Sequence, residues 1–453
     1  MDAVQDGRAA RVVIVGGGFA GFEAARALRR SLPRERGVEI VLVNPTNYFL
    51  YLPLLPEVAA GVLDPRRIAI PLPAALPGVR LALGEVTQVR PDDHRVTYVD
   101  PEGHEHDLDY DRLVLAVGSV NKLLPVPGVA EHAHGFRGIP EALYLRDHII
   151  RQIELAAAAH DPDERNERCT FVVVGAGYTG TEVAAQGALF ARSVAARHAE
   201  LRGQPIRWLL LDVADRVLPE LDQRLSRTAD QVLRKRGVEV LMSTSVDEAT
   251  HDGVQLTNGE VVPTRTVVWC VGVRPDPLVE RSGLATYKGR MVVDPTLAVP
   301  TCPDVFACGD AAAVPDLTRP GEVTAMTAQH ASRQGKLAGR NVAASLGFGT
   351  MRAYRHHDLG FVVDLGGPDA AANPLRIPLS GIPAKAVTRG YHLLTLPGNR
   401  ARTAVDWLLD AVAGRQSAQL GLVRSAAVPL ESESPETPQA RPQSSRSSTP
   451  VAS

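Results

Sequence analysis

The 453-residue chain holds only four cysteines, Cys169, Cys270, Cys302 and Cys308, and no C-x-x-C pair among them. That sparse usage suits an intracellular, reducing compartment. No stretch approaches the ~18 consecutive apolar residues that a spanning helix needs, so any membrane contact is expected to be peripheral. The amino terminus, MDAVQDGRAAR, is polar and runs straight into the first strand, with no secretory signal evident. An excess of charge is lacking too. Lys and Arg number 49 against 51 Asp and Glu, a formal net charge of −2, which gives no overall reason to expect nucleic acid as a partner. At 45% apolar and 22% charged residues, the composition is that of a soluble globular protein long enough for two or three domains.

What the chain does have is glycine in two matching patterns. RVVIVGGGFAGFEAARAL places Gly16, Gly18 and Gly21 in G-x-G-x-x-G spacing, and FVVVGAGYTGTEVAAQ repeats it with Gly175, Gly177 and Gly180. Each follows an apolar β-branched run and opens a helical segment, the context that gives this motif meaning. The first glycine permits a tight turn, the second lets backbone approach a pyrophosphate, and the third lets helix pack on strand. The pyrophosphate then meets exposed N–H groups at a helix N-terminus. Two complete loops imply two dinucleotides, and two dinucleotides suggest electron transfer between them.

Strands alternate with helices, so the fold class expected is α/β, with two Rossmann-like units in parallel sheets. VEIVLVN ends a strand at Asn44, DRLVLAVGS ends one at Gly118, RWLLLD at Asp212 and RTVVWCVGV at Val273. Residues 139–159 read as a helix and 160–168 as a polar spacer. The later strand PDVFACGDAA reads as the chain returning to complete the first unit, so the second is expected to be inserted in the first. The expected boundaries are 8–125 with 286–350 for the first unit and 139–285 for the second. A carboxyl-terminal α+β region spans 351–424. From Ser425 a Ser/Pro-rich tail, 425–453, is expected to be disordered.

A nucleotide site of this kind places a carboxylate at the end of its second strand to bind ribose hydroxyls. Asp212 fits, and its charge would repel the extra phosphate of NADP, favouring NADH, although Arg216 keeps NADPH open. In the first unit Asn44 takes that place, able to hydrogen-bond ribose without the charge-assisted part; the alternative is a turn residue before Pro45. Gly309 and Asp310 end the CGD strand beside the crevice where open parallel sheets bind ligands, with a plain helix cap as the alternative for Asp310. A helix is expected over about 325–346. His356, His357 and Asp358 could suggest a metal, but adjacent histidines point apart and no further ligand lies nearby; a surface turn is expected, and no metal site.

The paired fingerprints, the strand ends AVGS and CVGVRP, and VFACGDAA together resemble the two-dinucleotide flavoprotein reductases. NYFLYLPLLPEVAAG, TGTE, AQHASRQG and GYHLLTLPGNRARTAVDWLL narrow the resemblance to type II NADH dehydrogenases, the non-proton-pumping NADH:quinone oxidoreductases. It covers roughly residues 10 to 424. The resemblance implies FAD on the first fingerprint, NADH on the second, and Asp310 on the flavin's ribityl chain. It also implies that Glu182, Gln329 and the displaced Gln334 line the flavin and quinone sites, with Arg333 standing where glutamine is usual. Quinone reduction consumes protons, so a carboxylate near flavin is chemically reasonable; Glu182 as a first-turn residue on the helix dipole is the alternative. With no cysteine before Cys169, the superfamily's early dithiol relay is excluded, and the four cysteines are expected to be packed thiols.

In the carboxyl-terminal region Ala384, Val387, Tyr391 and Leu394 recur at helical spacing, as do Ala401, Val405, Leu408 and Val412. Six Lys or Arg against two acids between Pro383 and Arg424 suit an anionic lipid surface. Packing of both helices on the flavin unit is the alternative, and the resemblance favours membrane docking. The implied partners are a quinone and the cytoplasmic face of the cell membrane, with a homodimer left open. The rival functions are a soluble NAD(P)H-dependent reductase of a ferredoxin-like protein and a redox-sensing NADH-binding flavoprotein.

Overall fold

A computed structural model describes residues 9–33, 37–356 and 359–430. The chain opens with β1 (Arg11–Val15), α1 (Phe19–Ser31) and β2 (Glu39–Asn44), whose buried apolar runs belong to parallel strands covered on both faces. It adds α2 (Leu55–Ala59), β3 (Arg80–Leu83) and β4 (Arg112–Leu115). The second unit then follows: β5 (Ala133–His134), α3 (Ile139–Ala158), α4 (Pro162–Arg168), β6 (Thr170–Val174), α5 (Tyr178–Ala195), β7 (Arg207–Asp212), β8 (Val238–Met242) and β9 (Val267–Trp269). The chain returns as β10 (Ala298–Val299), β11 (Cys302–Ala307) and α6 (Ala328–Ser345).

Two sheets result, with orders β10-β11-β4-β1-β2-β3 and β5-β9-β6-β7-β8. Every pairing is parallel except β10 with β11. Val305 of β11 pairs with Leu113 of β4, so the first sheet is built from segments on either side of the second unit. Ser119–Asn121 and Val273–Pro275, the two passages between the units, pair antiparallel with each other. The second sheet already takes in Ala133 and His134, ahead of residue 139.

Helix α6 lies directly on α1. A Cβ at Gly335 or Gly339 would collide with the Ala20 or Ala24 carbonyl oxygen, so these two glycines, one turn apart, let the backbones touch. The stretch 160–168 is a helix rather than a spacer from Pro162 on. Asp161 caps it by accepting the Asp163 N–H at 3.0 Å, with Pro162 at its first position.

The carboxyl-terminal region forms a small antiparallel sheet of β12 (Val362–Asp364), β13 (Ala370–Ala372) and β14 (Leu379–Ser380), followed by α7 (Gly381–Thr395) and α8 (Arg400–Val412). Helix α7 turns Ala384, Lys385, Thr388 and His392 inward, so the expected stripe divides: Ala384 is buried while Leu394 is 75% exposed. On α8, Val405, Leu408 and Val412 all face outward and Trp407 faces in. No helix among the described residues is long and apolar enough to cross a membrane.

Residues 425–430 do not run free from Ser425. Val428 and Leu430 are buried, Leu430 among Val172, Val174 and Trp269 of the second unit, because these apolar side chains find a hydrophobic face within reach. The rest of the expected tail, 431–453, lies outside the described residues, as do His357 and Asp358.

Candidate functional site: a cavity shared by two glycine loops

A cavity of about 710 Å³ opens where the carboxyl ends of the two sheets meet. Three helix N-termini reach it: Gly18 and Phe19 of α1, Gly177 and Tyr178 of α5, and Thr327 and Ala328 of α6. None of these helices carries an acid in its first turn, so their positive poles are left for an anionic ligand. The loops are near copies. Gly16 and Gly175 have φ of 95° and 105°, left-handed turns that favour glycine. A Cβ at Gly21 would strike the Gly16 carbonyl oxygen, and one at Gly180 the Gly175 oxygen. At Gly18 and Gly177 a Cβ would meet nothing, so each second glycine faces open space into which a pyrophosphate fits.

The strand-end residues play the same local role. Asn44 Oδ1 accepts the Gly17 N–H at 2.6 Å, and Asp212 Oδ2 accepts the Ala176 N–H at 2.5 Å. Asn44 is buried and donates to the Thr46 carbonyl at 2.8 Å, so it ties strand to loop rather than merely preceding a turn. Asp212 is partly exposed and takes a second N–H, from Ala214, at 2.8 Å. Gly118, Gly309 and Asp310 line the cavity with Gly16, Gly18 and Asn44. Asp310 caps no helix. Its Oδ2 accepts the Ser119 hydroxyl at 2.8 Å, and burial pushes its carboxyl above the usual range. Gly21, Gly175, Gly180 and Asp212 lie off the cavity lining. The first three shape the loops, and Asp212 stands at the end of β7.

The three residues expected at the flavin and quinone sites are not equivalent. Gln334 is buried and spent on structure, its Oε1 accepting the Gly309 N–H at 2.8 Å and its Nε2 donating to Thr324 at 2.9 Å. Gln329 donates to the Gly360 carbonyl at 2.6 Å, while its buried Oε1 has no partner. Glu182 is the fifth residue of α5, past the first turn, and its Oε1 accepts the Asp364 N–H at 2.8 Å. Gln329 and Glu182 thus hold the two ends of one segment, 360–364. Glu182 keeps accessible surface yet lies deep in the protein, and desolvation raises its carboxyl well above the ordinary glutamate value.

All four cysteines are free. Cys270 and Cys308 touch the cavity, and burial pushes both thiols up to about 12, which holds them protonated and unreactive. Among the described residues no group of acids, histidines and cysteines is arranged to hold a metal ion. His356 packs against His330 with ring centroids 4.0 Å apart, and its Nδ1 accepts from the Arg333 guanidinium at 3.1 Å.

A family model for pyridine nucleotide-disulphide oxidoreductases matches residues 10–335. The type II NADH:quinone oxidoreductase Ndh of Mycobacterium tuberculosis is 31% identical over 433 residues, covering 91% of this chain and 90% of that protein. The chain belongs to the type II NADH:quinone oxidoreductase family. A demethylphylloquinone reductase of Synechocystis is 28% identical, covering 88% of this chain and 95% of that one. The structure of Plasmodium falciparum NDH2 with NADH shares the fold at a TM-score of 0.81, with 17% identity, across 91% of this chain and the whole of that one.

Several residues in this type II enzyme escaped the sequence reading. Ser119, the hydroxyl on Asp310, is the last residue of the AVGS strand end, where only the motif is legible in the sequence. Lys385, joined to Asp364 at 2.6 Å, lies in a region whose sequence points to surface charge, and Asp364 lies outside it. Glu57 sits inside the noted NYFLYLPLLPEVAAG run, where an acid among apolar residues was the available signal.

Proposed function

We propose that the protein oxidises NADH and passes two electrons to a quinone without pumping protons. The observation that carries this reading is that both glycine loops, through Gly18 and Gly177, open on one cavity, where two nucleotides would come into contact. FAD, when bound on the first loop, supplies a two-electron relay between nicotinamide and quinone. Gly16, Gly18 and the α1 N-terminus would hold its pyrophosphate, with Asn44 at one end and Asp310 at the other. Gly175, Gly177, Gly180 and Asp212 would hold NADH, the Asp212 charge rejecting a ribose phosphate. Glu182, whose burial favours the protonated form, would supply a proton to the acceptor, and the unpartnered Gln329 Oε1 would accept from a quinol hydroxyl. The carboxyl-terminal helices would seat the protein on the cytoplasmic face of the membrane. Ile382, Leu394, Leu408 and Val412 stand exposed there beside Arg376, Arg400 and Arg402. A homodimer would present two such surfaces side by side.

The test is NADH oxidation by purified protein, with and without a short-chain quinone, while flavin absorbance is followed. Rapid bleaching and quinone-dependent recovery over many turnovers is the expected result; bleaching without recovery defeats the quinone reading. Vesicle flotation checks the docking face. Leu408→Ser with Val412→Ser should release the protein from anionic vesicles, and undiminished flotation would place the contact elsewhere.

A further inference from the structure

Between the cavity wall and the last two helices lies a buried set of charged groups. Glu57 of α2 is 3% exposed, Asp364 of β12 4%, and Lys385 of α7 8%. Lys385 Nζ lies 2.6 Å from both oxygens of Asp364, and the Gly366 N–H adds a bond at 2.7 Å, so that pair neutralises itself. Glu57 and Glu182 form no ion pair among the described residues. Each has one neutral donor instead: the Trp407 indole on Glu57 Oε2 at 2.5 Å, and the Asp364 N–H on Glu182 Oε1. Desolvation pushes Glu57 up to about 7 and Glu182 well up. The Asp364 charge raises both and Lys385 lowers both, and Glu57 in turn raises Glu182. Burial thus favours the protonated form of both carboxyls.

The elements around Glu57 bring Glu182 from α5, Asp364 from β12, Lys385 and Arg389 from α7, and Trp407 from α8. Arg389 stacks over the Trp407 ring at 4.9 Å. Past the end of α2, Arg415 donates to the Ala60 carbonyl and Arg146 of α3 lies beside Gly61. Trp407 stands on the helix whose opposite face is apolar and exposed, so the Glu57 hydrogen bond joins the buried cluster to the surface assigned above to the membrane.

The quinone reading fixes how many protons are needed. NADH yields NAD+, two electrons and one proton; a quinone takes two electrons and two protons to become quinol. One proton per turnover must therefore come from solvent. We propose that Glu57 is a relay residue for that proton, passing it to Glu182, with Trp407 setting the charge that Glu57 carries. The proton moves from solvent to Glu57, from Glu57 to Glu182 and from Glu182 to a quinone oxygen. Each carboxyl is restored by the next proton, and no electron passes through either.

The test compares quinone with ferricyanide, which takes electrons without protons, as acceptors for the flavin-loaded enzyme between pH 5 and 9. In Glu57→Gln, which keeps an acceptor for Trp407, the ratio of quinone to ferricyanide turnover should fall by about tenfold or more, and the inflection near neutral pH should vanish. An unchanged ratio and an unchanged inflection would overturn the relay. Should that variant fail to fold, Trp407→Phe removes a donor that favours the ionised carboxylate, so the inflection should move to higher pH; an unmoved inflection is fatal. Because the inference rests on the quinone reading, a wild type that reduces ferricyanide but no quinone would end both. A wild type that reduces both acceptors, with variants that match it, ends the relay alone.

Discussion

The two glycine loops carry out the same backbone manoeuvre, yet the residues around them serve different chemistry. Both turn on a left-handed first glycine, and in both a third glycine touches a carbonyl oxygen. In both, the residue after the first glycine donates its N–H to the strand-end side chain. The loops part company at two matched positions. The strand end is a buried, neutral Asn44 in one and a partly exposed, charged Asp212 in the other. The fifth residue of the following helix is Glu23 in one, paired with Arg26 at 2.5 Å, and the unpaired, deeply set Glu182 in the other. Backbone geometry therefore makes a nucleotide site, while the side chains decide whether it keeps its ligand, exchanges it or moves a proton. A neutral, enclosed strand end suits a ligand that stays; an accessible carboxylate suits one that comes and goes.

The harshest way to break the symmetry is to fill a third glycine. Gly21→Ala and Gly180→Ala each drive a Cβ into a backbone oxygen and should cost about 3 kcal/mol in stability, read by denaturant unfolding. Flavin content should fall with the first and NADH affinity with the second; equal losses of both ligands would mean that the loops are not independent. The glutamates come next. Glu182→Gln should lower quinone turnover about a hundredfold, as expected for a lost general acid, while Glu23→Gln leaves it unchanged. Equal effects would mean that the two glutamates do not differ in role.

Smaller effects separate the strand ends. Asp212→Asn exchanges a charge-assisted contact for a neutral one and should lower kcat/KM for NADH roughly tenfold, with little change for NADPH. The reciprocal Asn44→Asp sets a carboxylate against the Thr46 carbonyl and should loosen flavin, measured by retention on dialysis. Smallest of all, Gly18→Ala and Gly177→Ala project into open space and should leave apo-protein stability within about 0.5 kcal/mol, yet weaken the nucleotide on that side. A large loss of stability at either would show that the space is already filled by protein.

The glycine loops and their strands were legible because that code is local: spacing, an apolar run before it and a helix after it lie within some twenty residues. Asp212 and Asn44 followed by counting strands. What escaped depends on pairings distant in sequence. That Gln334 holds the Gly309 N–H and the Thr324 hydroxyl is visible only once the chain is folded. Helix α4 buries no residue, so it leaves no apolar period to detect, and only its Asp161 cap announces it. Helix α7 lays its small and polar residues on the neighbouring sheet and leaves Ile382 and Leu394 outside, which a period built on Ala384 and Leu394 together could not anticipate. Glu57 was legible only as an acid out of place. Its meaning lies in Lys385, Asp364 and Trp407, more than three hundred residues away.

The pairing of β4 with β11 also governs the order in which the protein can be made. During synthesis β1 to β4 emerge first, but the strand that covers β4 arrives only after the whole second unit has left the ribosome. The second sheet, closed within one continuous stretch, can assemble meanwhile, whereas the first waits with an open strand edge that can recruit other chains. The earliest-translated sheet is thus completed after the second one, and ribosome-stalled chains ending near residue 320 should be cut by protease in β1–β4 while β6–β9 resist. The pairing that completes the first sheet thus leaves the newborn chain with one unprotected strand edge for the interval before β11 appears.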